Sequence, residues 1–317
     1  LVPVRFRYAG TPAPLQPHGS QVPYKDLFRE RLQFRGPGLE IPGPKGIEKV
    51  SIGFIGPLED QDNPVIPPGF RSALEYGPDA VYGRRMLRAA TLAVQEANAQ
   101  GGYGGIPFQI IPRTDLVLWG QTSNEMVRFE DEDHVWAVLS GFNSNHNHVM
   151  SRAALKVGIP ILCAGSTDPT LVEHGVPWLV RGIQDDRQQA HALLREVHFV
   201  RGFHRTALLR ASDRDGRMGV AEYISGSRSL GHPVVLEEQF DPGDTDFGSQ
   251  LERIRAANPE ALVLWGNAKE AARIVRQTRE SGMTLPIFGF DRMAGEDFLD
   301  AAGQAAEGVT AVATLNP

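Results

Sequence analysis

Ser144, His146 and His148 fall together in Ser144-Asn-His-Asn-His148, and their types alone would permit metal binding or nucleophilic chemistry. The spacing supports neither. Two histidines two apart on a helix point to different faces, and no cysteine or carboxylate joins them at ligand spacing. Ser144 has no histidine and acid partner fixed by a motif, and no Gly-x-Ser-x-Gly elbow occurs in the chain. At a helix start, its hydroxyl and the nearby backbone N–H groups suit a carboxylate, and a plain N-cap explains the same serine. Gly101-Gly102-Tyr-Gly-Gly105 follows a helical pattern instead of a strand, so it lacks the context of a phosphate-cradling loop and reads as a turn. Cys163 is the only cysteine, so no internal disulfide forms, and its apolar surroundings predict an inert buried thiol. No catalytic group, metal or cofactor is expected, and the chain reads as a binding protein, not an enzyme.

The elements that must position these residues follow from apolar patterning. Strands are predicted over 50–56, 108–111, 135–139, 159–163, 207–209, 234–240, 261–265 and 287–290. Leu87, Ala90, Val94 and Ala97 recur at helical spacing and are terminated by Gly101-Gly102. Further helices are predicted over 145–157, 187–200, 247–257 and 268–281, with Phe247, Leu251 and Ile254 sharing one face. Repeated strand-helix alternation implies an α/β protein with parallel, doubly wound sheets, which bind ligands beyond the carboxyl ends of their strands. Trp119, after the strand at 108, is either a pocket wall or a surface residue.

With 317 residues the chain exceeds one ordinary core and suits two lobes. Its hydrophobic fraction of 41% and charged fraction of 22% are those of a folded globular protein. A formal charge of -6 with scattered basic residues gives no footprint for nucleic acid, which is excluded as a partner. No stretch is long and apolar enough to span a bilayer. The chain opens on Leu1, and the expectation is that an upstream signal peptide has been removed. Eight prolines, from Pro3 to Pro44, mark residues 1–48 as an extended arm or tether.

Several motifs, in order, resemble the leucine/isoleucine/valine-binding proteins of branched-chain amino-acid ABC transporters, the type I periplasmic binding proteins. They are Val50-Ser-Ile-Gly-Phe-Ile-Gly-Pro57, Gly77-Pro-Asp-Ala-Val-Tyr-Gly83, Asn98-Ala-Gln-Gly-Gly-Tyr-Gly-Gly105 and Gly141-Phe-Asn-Ser144. Gly158-Ile-Pro-Ile161, Ser166-Thr-Asp-Pro-Thr-Leu171, Arg181 and Glu307-Gly308 extend the match. The resemblance implies two Rossmann-like lobes with parallel doubly wound sheets joined by a hinge that closes over a solute. The implied lobes are 49–183 and 184–312, with a return crossing starting at 313–317.

By the same resemblance, Ser144 and Thr167 contact the ligand carboxylate, and Thr167 also serves the ammonium. Gly165 and Ser166 line the same turn, with the Gly165 carbonyl accepting from the ammonium. Tyr82 matches an aromatic pocket position. Asp291 stands where the family places a glutamate that pairs with the ammonium. Asp215 stands where the second lobe commonly contributes a stacked tyrosine, which turns the expectation from a purely aliphatic ligand toward a polar, cationic or larger one. Three features depart from the family: the arm at 1–48, a proline-rich loop at 59–76, and an end at Pro317 where relatives continue for roughly another hundred residues. The resemblance implies an extracytoplasmic, possibly membrane-tethered receptor that takes a small amino-acid-like solute and serves a membrane ABC permease. A periplasmic sensory or accessory subunit is the alternative, and a Rossmann-like enzyme a more remote one.

Overall fold

Val50 to Gly56 is a run of small and apolar residues that can be buried on both faces, as the inner strands of a parallel sheet must be. In the computed structural model it is β1, an inner strand of the first of two sheets. The structure describes residues 46–58, 78–115, 118–141, 143–173, 175–176 and 178–313. Residues 1–45 of the expected arm, the 59–76 loop and 314–317 lie outside the described residues.

The first lobe runs through β1 (Val50–Gly56), α1 (Pro78–Ala99), β2 (Phe108–Thr114), α2 (Trp119–Asp131), β3 (Ala137–Ser140), α3 (Ser144–Val157), β4 (Ile161–Cys163), α4 (Thr170–Glu173) and β5 (Leu179–Arg181). The second contains α5 (Asp186–Leu194), a π-helical turn (Arg195–Val200), β6 (Thr206–Ala211), α6 (Arg214–Ser229), β7 (Leu236–Phe240), α7 (Gly248–Ala257) and β8 (Ala261–Trp265). It continues through α8 (Ala268–Glu280), β9 (Ile287–Gly289), a 3-10 turn (Asp291–Ala294), α9 (Glu296–Ala302) and β10 (Val309–Ala311).

Each sheet has five strands, ordered β2-β1-β3-β4-β5 and β10-β9-β8-β6-β7, and every pairing is parallel. Read from the other edge, the second sheet is β7-β6-β8-β9-β10, so both are wound in the same sequence of second, first, third, fourth and fifth strand. In each, the order reverses beside the first strand, and the crevice for a ligand opens there.

Ile55, Phe129, Val138, Met150 and Ile161 form the core between the first sheet and α2 and α3. The second sheet is filled on both faces. Leu209, Phe247, Leu264 and Ile274 pack on one side, and Leu193, Leu208, Tyr223 and Trp265 on the other. Because Ala190, Leu193 and Leu194 belong to this second core, the chain has crossed between lobes before α5.

Besides the short α4 and α9, two longer helices lie where apolar spacing marks none. The buried face of α2 carries Thr122 and Glu125 beside Met126 and Phe129, and that of α6 carries Gly216, Gly219 and Ser227 beside Val220 and Tyr223. On α6 the small residues are a packing requirement: a Cβ on Gly219 would lie 2.0 Å from the Trp265 indole nitrogen. The strand expected from 135 begins instead at Ala137, and the helix expected over 187–200 is α5 followed by the π turn. The Gly101–Gly105 segment is a turn, with all four glycines at positive φ. No helix among the described residues is long and apolar enough to cross a membrane.

Candidate functional site

Strand ends on the two lobes meet at one cleft. After β3, Asn143 and not Ser144 caps α3, accepting from the His146 N–H at 3.2 Å. Ser144 therefore enters the first turn with its hydroxyl available for other partners. It is buried, accepts from the Ser166 hydroxyl at 2.7 Å, and stands beside the Asp215 carboxylate of the opposite lobe, whose charged form it favours.

After β4, the Gly165-Ser166-Thr167 turn lies against the start of α5. The Thr167 carbonyl accepts from the Asp186 N–H at 2.9 Å, and its side chain lies beside the Asp186 carboxylate, whose charged form it favours. Asp186 follows the capping residue Asp185, whose carboxylate accepts from the Gln188 N–H while Gln188 reaches back to the Asp185 N–H. This capping box fixes the chain just after the crossing between lobes.

After β6, Asp213 caps α6 and Asp215 falls in its first turn. After β9, the Asp291 N–H donates to the buried Gln189 carboxamide at 2.9 Å, and the Gln184 amide donates to Asp291 Oδ2 at 3.4 Å. One oxygen of each carboxylate, Oδ1 of Asp215 and Oδ1 of Asp291, is shielded from solvent and has no hydrogen-bond partner among the described residues. Tyr82, on the first turns of α1, is half-buried within the field of Asp297, Arg292, Arg85 and Asp291.

The electrostatics are those of a desolvated acidic site. Burial pushes the Asp215 and Asp291 carboxyls upward, and the neighbouring Arg292 guanidinium pulls both back. Asp186 is pushed up to about 7, chiefly by burial, with the charges of Asp215 and Asp291 adding to the rise against the Thr167 hydrogen bond. Tyr82 is raised by burial and then by Asp297.

A second cluster ties the lobes together beside the cleft. Asp168, 2% exposed, accepts from Arg214 Nε at 2.9 Å across the gap and from the Thr170 N–H and hydroxyl at 2.8 and 2.7 Å within its own lobe. His148 Nε2 lies 3.1 Å from Asp168 Oδ2 and 3.2 Å from Arg214 Nη2. Arg187 bridges Glu173 and Glu222, and Arg85 on α1 pairs with Asp297 on α9 at 2.9 Å.

Ser144, Gly165, Ser166, Thr167, Asp215, Asp291 and Tyr82, the residues singled out in the sequence, thus lie on strand ends and helix starts that converge. His146 is drawn away to Asp115, 2.7 Å from Nδ1, while His148 turns to the Asp168 cluster. Trp119 is exposed at the start of α2, so it is the surface residue of its two readings. Cys163 is fully buried. Sequence reasoning missed Asp186, Gln189, Arg214 and Arg292. Asp186 is adjacent to a capping aspartate, and that Asp-Asp pair at the crossing was the one signal available.

This architecture and its motifs have counterparts. A family model described as periplasmic binding protein matches residues 72–317. An amino acid binding protein of Pseudomonas aeruginosa is 28% identical over 228 residues, covering 72% of this chain and 61% of that protein. The Leu/Ile/Val-binding protein of Escherichia coli is 25% identical over 237 residues, covering 74% and 63%. The chain therefore spans about three fifths of the length of the curated relatives it matches. Among solved structures, the branched-chain amino acid transporter substrate binding protein of Streptococcus pneumoniae in complex with isoleucine superposes with a TM-score of 0.68. It is 26% identical, over 80% of this chain and 68% of that one. A leucine binding protein of Thermotoga maritima shares the fold, with a TM-score of 0.69 at 20% identity. With two parallel five-stranded lobes facing across a cleft, and the family model matching nearly four fifths of its length, this chain belongs to the periplasmic binding protein family.

Proposed function

We propose that the chain is the solute-binding receptor of an ABC transporter, closing its lobes over an amino acid or related small polar compound and handing it to a membrane permease without turnover. One observation carries the reading: the buried Ser144 and Ser166 hydroxyls, joined at 2.7 Å, stand beside the Asp215 carboxylate of the other lobe, and Thr167 stands beside Asp186, which lies in the field of Asp215 and Asp291. A zwitterion needs that pairing of donors and acceptors, since a charge buried without a partner costs several kcal/mol. In this reading the first lobe, 49–183, holds the solute carboxylate through Ser144, Ser166 and Thr167. The Gly165 carbonyl, Asp291 and Asp215 accept from cationic groups, and Tyr82 walls the pocket from α1. The second lobe, 184–312, swings about the segment before Asp185. The family's role implies an extracytoplasmic location.

Isothermal titration of the ligand-stripped 317-residue chain against amino acids, carboxylates and amides tests the proposal. Saturable one-to-one binding that Thr167→Ala weakens at least about tenfold is the expected result, a buried charge-assisted hydrogen bond being worth roughly 1.5–3 kcal/mol. Absence of binding across the panel refutes it.

A further inference from the structure

The cleft carries more negative charge than a single ammonium group can answer. Asp215 and Asp291 reach it from different strand ends of the second lobe, and each keeps a shielded carboxylate oxygen with no partner among the described residues. Among the described residues, Asp215 has the neutral hydroxyl of Ser144 beside it, and the Asp291 carboxylate accepts from the neutral Gln184 amide at 3.4 Å. Asp213 and Asp186 add acidic groups beside them.

The cation acting on both carboxylates is Arg292. Arg214 is engaged by Asp168, and Arg85 by Asp297. Among the described residues, two carboxylates against one guanidinium leave one net negative charge, before Asp186 is counted. A zwitterion of zero net charge leaves that imbalance in place, whereas a solute of net charge plus one removes it. Such a solute also supplies donors for both shielded oxygens.

We infer, on the solute-binding reading above, that the natural ligand is an amino acid whose side chain ends in a second cationic nitrogen, with Asp215 and Asp291 accepting from its two cationic groups. Three features agree among the described residues: one oxygen of each carboxylate is shielded, no ion pair is formed by either, and the lobe opposite offers Asp215 a hydroxyl.

Matched pairs of solutes test this by titration calorimetry on the 317-residue chain: L-lysine against L-norleucine, L-ornithine against L-norvaline, and L-arginine against L-citrulline. The expected result is that at least one cationic member binds about tenfold or more tighter than its neutral partner, as befits a charge paired in a desolvated site. In Asp215→Asn that preference collapses toward unity, and in Asp215→Glu it is largely kept. Thermal melts establish that both variants fold. Neutral members binding as tightly as cationic ones overturn the inference while leaving the receptor reading intact. A preference unchanged in Asp215→Asn overturns the role of Asp215. Failure of every amino acid overturns the inference, and failure of the carboxylates and amides as well overturns the receptor reading with it.

Discussion

Replacing Arg214 by methionine removes the guanidinium that reaches across the cleft while keeping most of its apolar stem. Arg214 Nε and Nη2 both lie 2.9 Å from Asp168 Oδ2. The carboxylate side of this pair is buried, and 33% of the Arg214 side chain is exposed. Hydrogen bonds to a charged group contribute about 1.5–3 kcal/mol, and the solvated arginine lowers that to roughly 1–2 kcal/mol. Asp168 keeps the Thr170 N–H and hydroxyl from its own lobe, so the lost energy falls on the contact between lobes and not on folding of the first. The ratio of closed to open molecules should drop about 5- to 30-fold, since 1.4 kcal/mol is a factor of ten. Small-angle scattering of the ligand-free variant should show a larger radius of gyration, and solute affinity should weaken by up to the same factor. The effect also depends on pH. Burial raises the Asp168 carboxyl, but the hydrogen bonds from His148, Thr170 and Arg214 outweigh it and hold it well below the usual carboxylate range. A depressed carboxyl contributes stability above the unfolded value near 3.9 and loses it as pH falls through the folded one. Wild-type protein should therefore remain closed near pH 4, where the variant opens. A variant that scatters and binds like the wild type would refute this account of the cluster.

The raised carboxyl of Asp186 has the opposite sign. Its contribution to stability is fully present below about pH 4, and is lost as pH rises through the folded value of about 7, so Asp186→Asn should flatten the pH dependence of the melting temperature between those limits. Denaturation midpoints at pH 5 and pH 8 check it, and an unchanged difference between them counts against the burial of this group. Gly219→Ala drives a methyl into the Trp265 indole and should destabilise by about 1–3 kcal/mol, lowering the melting temperature by several degrees in calorimetry. The Cys163 thiol, raised by burial, should react with a thiol reagent in native buffer orders of magnitude more slowly than in denaturant. Comparable rates would show that the β4 strand opens readily.

The sequence made the sheets legible because inner parallel strands are buried on both faces and read as unbroken apolar runs, as Ala261–Trp265 does. It concealed α2 and α6 because their inner faces use Thr122, Glu125, Gly216 and Gly219, which carry no hydrophobic period. It concealed β5 because three residues are too few to show alternation. Ser144, Thr167 and Asp291 stood out through the order of motifs. Gln189 and Arg214 did not, because their partners lie far along the chain, at Asp291 and Asp168. Nothing local distinguishes them from ordinary polar residues on helix surfaces.

The identical winding of the two sheets makes the lobes topologically equivalent, so that Thr167, after the fourth strand of one, corresponds to Asp291, after the fourth strand of the other. Tyr82 and Asp215 correspond likewise, each on the helix after a first strand. The frame is thus nearly symmetric while its lining is polarised, hydroxyl facing carboxylate. On the reading proposed above, a dipolar guest turned end for end would set its carboxylate against those of Asp215 and Asp291 and leave its ammonium with neutral hydroxyls. Direction of entry is then a property of a few side chains and not of the backbone, and exchanging Thr167 and Asp291 would invert it.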